Sequence, residues 1–92
     1  KAEWLFTHWM EAGDSGEAGR CAILAGDEAV KALAFARASE LYRAALDLAP
    51  ADHPERAEIE RKFAEALSYS AQGAEAAQAY LRAAERSSPE QA

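Results

Sequence analysis

The chain has 92 residues, half of them apolar, with a formal net charge of −6 and a pI near 4.8. This length supports one small domain, and the acidic balance excludes a typical nucleic-acid partner, because such binding needs Lys and Arg to neutralise phosphates. The single cysteine, Cys21, excludes an internal disulfide and a zinc site made of cysteines alone. No apolar run approaches the roughly 20 residues of a membrane span, and no signal peptide is recognised. We therefore expect a cytoplasmic protein with no membrane partner.

Helical periodicity begins at the start of the chain. The first predicted helix covers residues 2–12 and carries large apolar residues at helical spacing. It ends in a Gly-rich turn, where Asp14 and Glu17 have the spacing of a capping box that starts the second helix, 15–34. Alanines at helical spacing give the second helix a stripe of small residues, and Gly26 is the position where it could bend.

Three more helices follow. The third is predicted over 36–49 and ends at a proline. Asp52 and Glu55 repeat the capping spacing before the fourth helix, 54–71, and the fifth covers 74–87. No segment alternates with the period of two that marks a strand. The predicted fold class is therefore all-α, with about five helices.

The two ends of the chain both have helical character. The chain opens directly on residues with helical spacing, and Ser88, Pro89 and Gln91 have the pattern of a further helix start. We therefore expect residues 1–92 to form a single helical repeat domain that belongs to a longer array.

A frame of small residues around a tyrosine occurs twice, 38 residues apart. Its copies are Ala38, Tyr42 and Ala45 in the third helix and Ala76, Tyr80 and Ala83 in the fifth. Self-similarity at such a period is typical of stacked helical repeats. With Phe63, Ala64 and Leu67 in the fourth helix, the pattern resembles the tetratricopeptide repeat (TPR), a helix-turn-helix unit of about 34 residues. The resemblance implies antiparallel helix-turn-helix repeats stacked into a TPR-like α-solenoid.

Residues 25–48 are also similar to helical segments that lie beside kinase or ATPase domains in large bacterial signalling proteins. This similarity implies that the domain belongs to a bacterial signalling protein. In that setting the domain would be a scaffold beside the catalytic domains.

A concave groove lined by the first helix of each unit is what the TPR resemblance implies for function. Such grooves hold peptides or partner helices. The corresponding positions in this chain are Thr7, Met10, Ile23, Asp27, Val30, Lys31, Arg61, Glu65, Ser68 and Tyr69. Because the chain has no asparagine, the Asn-based carboxylate clamp of chaperone-binding members is not expected.

Two functions remain open at this point. The first is a non-catalytic module that binds a protein or peptide partner in the groove. The second is a structural spacer that orients neighbouring kinase or ATPase domains and has no ligand of its own.

Residues that could carry chemistry are few. The segment 13–16, Gly-Asp-Ser-Gly, is like a protease nucleophile segment but has no general base or β scaffold, so a turn is expected there. His8 and His53 have no ligand partner at helical spacing, which argues against a metal site. His8 is expected to be half-buried, and Cys21 to be buried on the small-residue stripe. We expect no catalytic residue, no cofactor and no metal.

Aromatic residues cluster in the first helix. Trp4, Trp9 and Met10 are expected in the core or on a repeat-stacking surface. The alternative is an exposed patch, through which Trp4, Leu5 and Trp9 would allow self-association.

Overall fold

Four α-helices make up most of the described chain. The computed structural model describes residues 1–70 together with Ala79, Arg82, Ala83 and Glu85. The helices are α1 (Ala2–Ala12), α2 (Ser15–Lys31), α3 (Phe35–Leu48) and α4 (Arg56–Tyr69), and the described residues form no strand. The all-α class is thus confirmed for this part of the chain. The four described residues beyond position 70 are helical, but most of the predicted fifth helix, including Tyr80, lies outside the described residues.

The turn between α1 and α2 forms as its residues predict. Gly13 takes a left-handed conformation with φ 80°, which glycine adopts without a Cβ clash. Asp14 is the N-cap of α2, and its carboxylate accepts a hydrogen bond of 3.0 Å from the Glu17 backbone N–H. The predicted capping by Asp14 is therefore confirmed.

The predicted end of the second helix at residue 34 is wrong. α2 ends at Lys31, and Leu33 takes a left-handed conformation with φ 61°. The Ala34 N–H donates to the Ala29 carbonyl at 2.8 Å, and the Leu33 N–H donates to the Val30 carbonyl at 2.9 Å. These are the two bonds of a Schellman motif. Glycine usually occupies the left-handed position of this motif. A leucine there gives no indication in the sequence that the helix ends.

The start of α4 also differs from the prediction. Asp52 is not the cap; instead, the Glu55 N–H donates to Nδ1 of His53 at 3.1 Å, and α4 begins at Arg56. The Arg56 guanidinium donates to the carbonyls of Leu46 and Ala49 at 3.1 and 3.2 Å. One side chain thus joins the start of α4 to the C-terminal end of α3, where the backbone carbonyls lack helical partners.

Each helix packs against the next one in the chain, and ion pairs also join alternate helices. Arg37 of α3 pairs with Glu3 of α1. Lys62 of α4 pairs with Asp27 of α2, with 3.1 Å between Nζ and Oδ1. Thus α1 meets α3, and α2 meets α4.

The small-residue frame of α3 lies in the core. Ala38, Tyr42 and Ala45 are all buried, as predicted, and Cys21 is buried in α2. The described core cluster also includes Ala22, Leu46, Ile59, Phe63, Ala64, Ala66, Leu67 and Ala79. Much of this core consists of small side chains, which allow helix axes to approach closely.

Gly26 lies inside α2, where the helix passes directly over the Tyr42 ring. A Cβ at this position would lie 2.6 Å from Cε1 of Tyr42, well inside normal carbon–carbon contact. The glycine therefore provides the space that a large buried ring needs between α2 and α3.

The aromatic cluster of α1 is more exposed than predicted. Trp4 is 68% exposed and Met10 is 46% exposed, so the core interpretation is wrong for these two residues, and the repeat-stacking surface stays a prediction. His8 is exposed rather than half-buried, and its ring stacks on Trp4 with 5.7 Å between centroids. Trp9 is half-buried and meets His8 edge-on. These residues lie on the first helix, where no preceding helix of the described chain covers them.

Candidate functional site

A cavity of about 360 Å³ opens between α2, α3 and α4. Its lining consists of Asp27, Val30, Lys31, Phe35, Tyr42, Arg61, Lys62, Glu65, Ala66 and Tyr69. Six of the ten predicted groove residues belong to this lining: Asp27, Val30, Lys31, Arg61, Glu65 and Tyr69.

Helical spacing brings these side chains to the cavity. Asp27, Val30 and Lys31 are three and four residues apart on α2, so they share one face of that helix. Arg61, Glu65 and Tyr69 are successive steps of four along α4. Because α2 and α4 meet, their two faces form opposite walls of one cavity.

The buried side of the cavity contains a polar network centred on Asp27. The Tyr42 hydroxyl donates to Oδ1 of Asp27 at 2.5 Å, and Nζ of Lys62 donates to both carboxylate oxygens at 3.1 and 3.3 Å. Burial, with the hydrogen bond to Asp27, raises the pKa of the Tyr42 hydroxyl well above its usual range. The tyrosine therefore stays a neutral donor, and this network links α2, α3 and α4.

A second charged cluster lies on α4. Arg61 donates to Glu58 through Nε at 3.1 Å and through its terminal nitrogen at 2.5 Å, and to Glu65 at 2.6 Å. The hydrogen bonds to Arg61 lower the pKa of Glu58, and those to Glu58 raise the pKa of Arg61. All three side chains are about half exposed, so this cluster orients Arg61 more than it stabilises the fold.

An aromatic pair forms the apolar part of the cavity. The rings of Phe35 and Tyr69 lie 4.9 Å apart between centroids and are tilted by 35°. Tyr69 is 70% exposed, although its ring is one of the largest apolar groups of α4. Val30 and Ala66 complete the apolar lining.

Four lining residues are absent from the predicted groove set: Phe35, Tyr42, Lys62 and Ala66. Phe35 was missed because the second helix was predicted to continue to residue 34, whereas it ends at Lys31 and leaves Phe35 at the start of α3. Tyr42 was assigned to the core, and it is buried, but its hydroxyl reaches the cavity network. Lys62 was missed because it lies 35 residues from its partner Asp27, and no local sequence pattern links residues that far apart.

Four predicted groove residues do not line the cavity: Thr7, Met10, Ile23 and Ser68. Thr7 and Met10 are exposed on α1, and the Thr7 hydroxyl donates to the Glu3 carbonyl of the same helix at 3.3 Å. Ile23 packs partly buried against the core cluster, and Ser68 is exposed on α4. Their part in binding stays a prediction.

Metal-binding clusters and membrane-spanning helices are both absent from the described residues. No group of three or more His, Cys, Asp or Glu in that part of the chain is arranged to hold a metal ion. None of the described helices has both the length and the apolar character needed to cross a membrane.

Comparison with protein-family models, with curated proteins and with solved structures finds no match to this chain. Function is therefore inferred from the chemistry and geometry of the cavity.

Proposed function

We propose that this chain is a TPR-like repeat module that binds a peptide in the cavity between α2 and α4, with no catalytic role. The observation that carries the proposal is Tyr69, a large ring 70% exposed at a cavity whose charged groups are largely paired with one another. An exposed aromatic at a preformed concave site is a common anchor for binding.

Two features support the TPR-like part of the proposal. The small-residue frame around Tyr42 is buried in α3, where close packing of paired helices requires it. Contacts join α1 to α3 and α2 to α4, as expected when successive helices alternate between two layers. In such an arrangement α2 and α4 share one surface, which is the surface that contains the cavity.

The polar groups of the cavity favour binding over catalysis. The Asp27 carboxylate accepts hydrogen bonds from Tyr42 and Lys62, and the Glu65 carboxylate accepts one from Arg61. A general base must reach the proton that it removes, and here both carboxylates are already bound to protein donors. The paired charges instead give the cavity a fixed shape before a ligand arrives, which reduces the entropy cost of binding.

Peptide selection tests the proposal directly. A library of random linear peptides is displayed and selected on the full chain, and the selected peptides are then measured against Tyr69→Ala and Thr7→Ala. Both changes are at exposed positions, but only Tyr69 lines the cavity. We expect Tyr69→Ala to weaken binding by about tenfold or more, as for an aromatic anchor, and Thr7→Ala to leave it nearly unchanged.

The outcome also decides between the module and a spacer without a ligand. A spacer yields no enriched peptide, or peptides that bind the wild type and both variants equally. Thermal unfolding of each variant checks that the fold is retained.

A further inference from the structure

The charges of the cavity lining are not balanced. The lining contains three cations, Lys31, Arg61 and Lys62, and two carboxylates, Asp27 and Glu65. Both carboxylates are engaged, Asp27 by Lys62 and Glu65 by Arg61. The lining residues therefore include one more cation than carboxylate, while a third carboxylate, Glu58, lies outside the lining and is bound to Arg61.

Lys31 is the lining cation that has no carboxylate partner among the described residues, since Arg61 pairs with Glu65 and Lys62 with Asp27. It is exposed at the last position of α2. Its ammonium group is a cation at the cavity that a ligand can reach without breaking an existing pair. A ligand carboxylate would gain a partner there, whereas a ligand ammonium would meet repulsion and two carboxylates that are already bound.

The apolar lining defines the other half of the ligand. Phe35 and Tyr69 present a tilted aromatic pair, beside Val30 and Ala66. The volume of about 360 Å³ is near the lower end of the range for ligand pockets, about 300–1,000 Å³. This space suits one large side chain better than the row of anchors that a partner helix presents.

From these observations we infer that the cavity binds an extended peptide segment in which a large apolar side chain is next to an Asp or Glu. The apolar side chain packs on the rings of Phe35 and Tyr69, and the carboxylate pairs with Lys31. This inference rests on the proposed peptide-binding function and specifies its ligand. The acid is internal to the peptide, so a free C-terminus is not required.

Four short peptides with blocked ends test the ligand chemistry. They share a Gly-Ser background and differ only in a central pair: Trp-Asp, Trp-Asn, Trp-Lys or Ala-Asp. Dissociation constants are measured by NMR titration of the ¹⁵N-labelled full chain. We expect Trp-Asp to bind about two- to fivefold more tightly than Trp-Asn, the range for an exposed ion pair. Trp-Lys should be weaker than Trp-Asn, and Ala-Asp should be weaker than Trp-Asp by about tenfold or more, because an apolar side chain is lost.

Two variants that change the net charge equally test whether the peptide carboxylate pairs with Lys31. Lys31→Met keeps most of the stem and should remove the preference for Trp-Asp over Trp-Asn while leaving the affinity for Trp-Asn nearly unchanged. Arg20→Met makes the same change in net charge on an exposed residue of α2 outside this cavity. It should leave the preference intact.

Equal affinity for Trp-Asp and Trp-Lys overturns the inference, as does a preference that survives Lys31→Met or the absence of binding by all four peptides. The proposed function fails differently. If random-library peptides need Tyr69 but contain no apolar–acidic pair, peptide binding stands and this ligand assignment does not. If the library yields no peptide that depends on Tyr69, the binding function itself is refuted.

Discussion

Replacing Gly26 by alanine places a methyl group in a space that the Tyr42 ring already fills. The new Cβ would lie 2.6 Å from Cε1 of Tyr42 and 2.9 Å from both Cδ1 and Cζ. Carbon atoms in contact are normally about 3.5–4.0 Å apart, so the ring must move by about 1 Å. Tyr42 is only 2% exposed and its hydroxyl is bonded to Asp27, so the ring has little freedom to do so.

Two opposing effects determine how Gly26→Ala should change the free energy of unfolding. Alanine in place of glycine inside a helix stabilises it by about 1 kcal/mol. Overpacking of a filled core costs about 1–3 kcal/mol, and this overlap belongs at the upper end because the ring is enclosed. We expect a net loss of about 2 kcal/mol in the free energy of unfolding, or about 8–16 °C in Tm for a domain of this size.

Gly19→Ala is the matched control in the same helix. Its Cβ would lie 3.8 Å from the nearest atom, Cβ of Leu48, which is ordinary contact. Only the helix-propensity term applies, so this variant should be more stable than the wild type by about 0.5–1 kcal/mol. Urea and thermal unfolding followed by circular dichroism measure both variants.

The two glycine variants must therefore change stability in opposite directions. If Gly26→Ala stabilises the chain as Gly19→Ala does, the close approach of α2 to the Tyr42 ring is refuted. A double variant, Gly26→Ala with Tyr42→Leu, should lose less than the sum of the two single changes, by about 0.5 kcal/mol or more.

Three further changes have defined outcomes. Leu33→Gly should raise the free energy of unfolding by about 0.5–1 kcal/mol, because glycine relieves the left-handed backbone of a side chain that is 74% exposed; a loss in urea unfolding would contradict this. Arg56→Met should cost about 2 kcal/mol, since it removes two charge-assisted hydrogen bonds to α3 carbonyls and the ion pair with buried Glu60, whereas exposed Arg20→Met should cost less than about 0.5 kcal/mol. Above about pH 10 the unfolded Tyr42 ionises while the folded one, with its raised pKa, stays neutral, so stability should fall by about 1.4 kcal/mol per pH unit. This slope should be reduced in Tyr42→Phe, and an equal slope in both proteins would argue against a shifted tyrosine.

Local pattern was sufficient to predict several features of the described chain. Periodicity of about 3.6 residues marks a helix face without reference to distant residues, which is why the existence of the four helices, though not all their ends, and the burial of Ala38, Tyr42 and Ala45 were predicted correctly. The capping of α2 by Asp14 is equally local, because its hydrogen bond reaches only three residues along the chain.

The tertiary structure decided the features that join distant segments. Leu33 adopts a conformation that its residue type disfavours, so the end of α2 had no mark in the sequence. Gly26 was a candidate bend until the Tyr42 ring beside it revealed a packing role. The pairing of Asp27 with Lys62 spans 35 residues.

The cavity shows the same division between local and distant determinants. Six of its lining residues were predicted from the groove positions that the TPR resemblance implies, whereas Phe35 and Lys62 entered only when the helices were placed beside one another. A residue's periodicity determines which side of its own helix it occupies. The residue that it meets across a cavity depends on how the whole chain packs, because that contact is set by the balance of burial, close approach and charge among several helices at once.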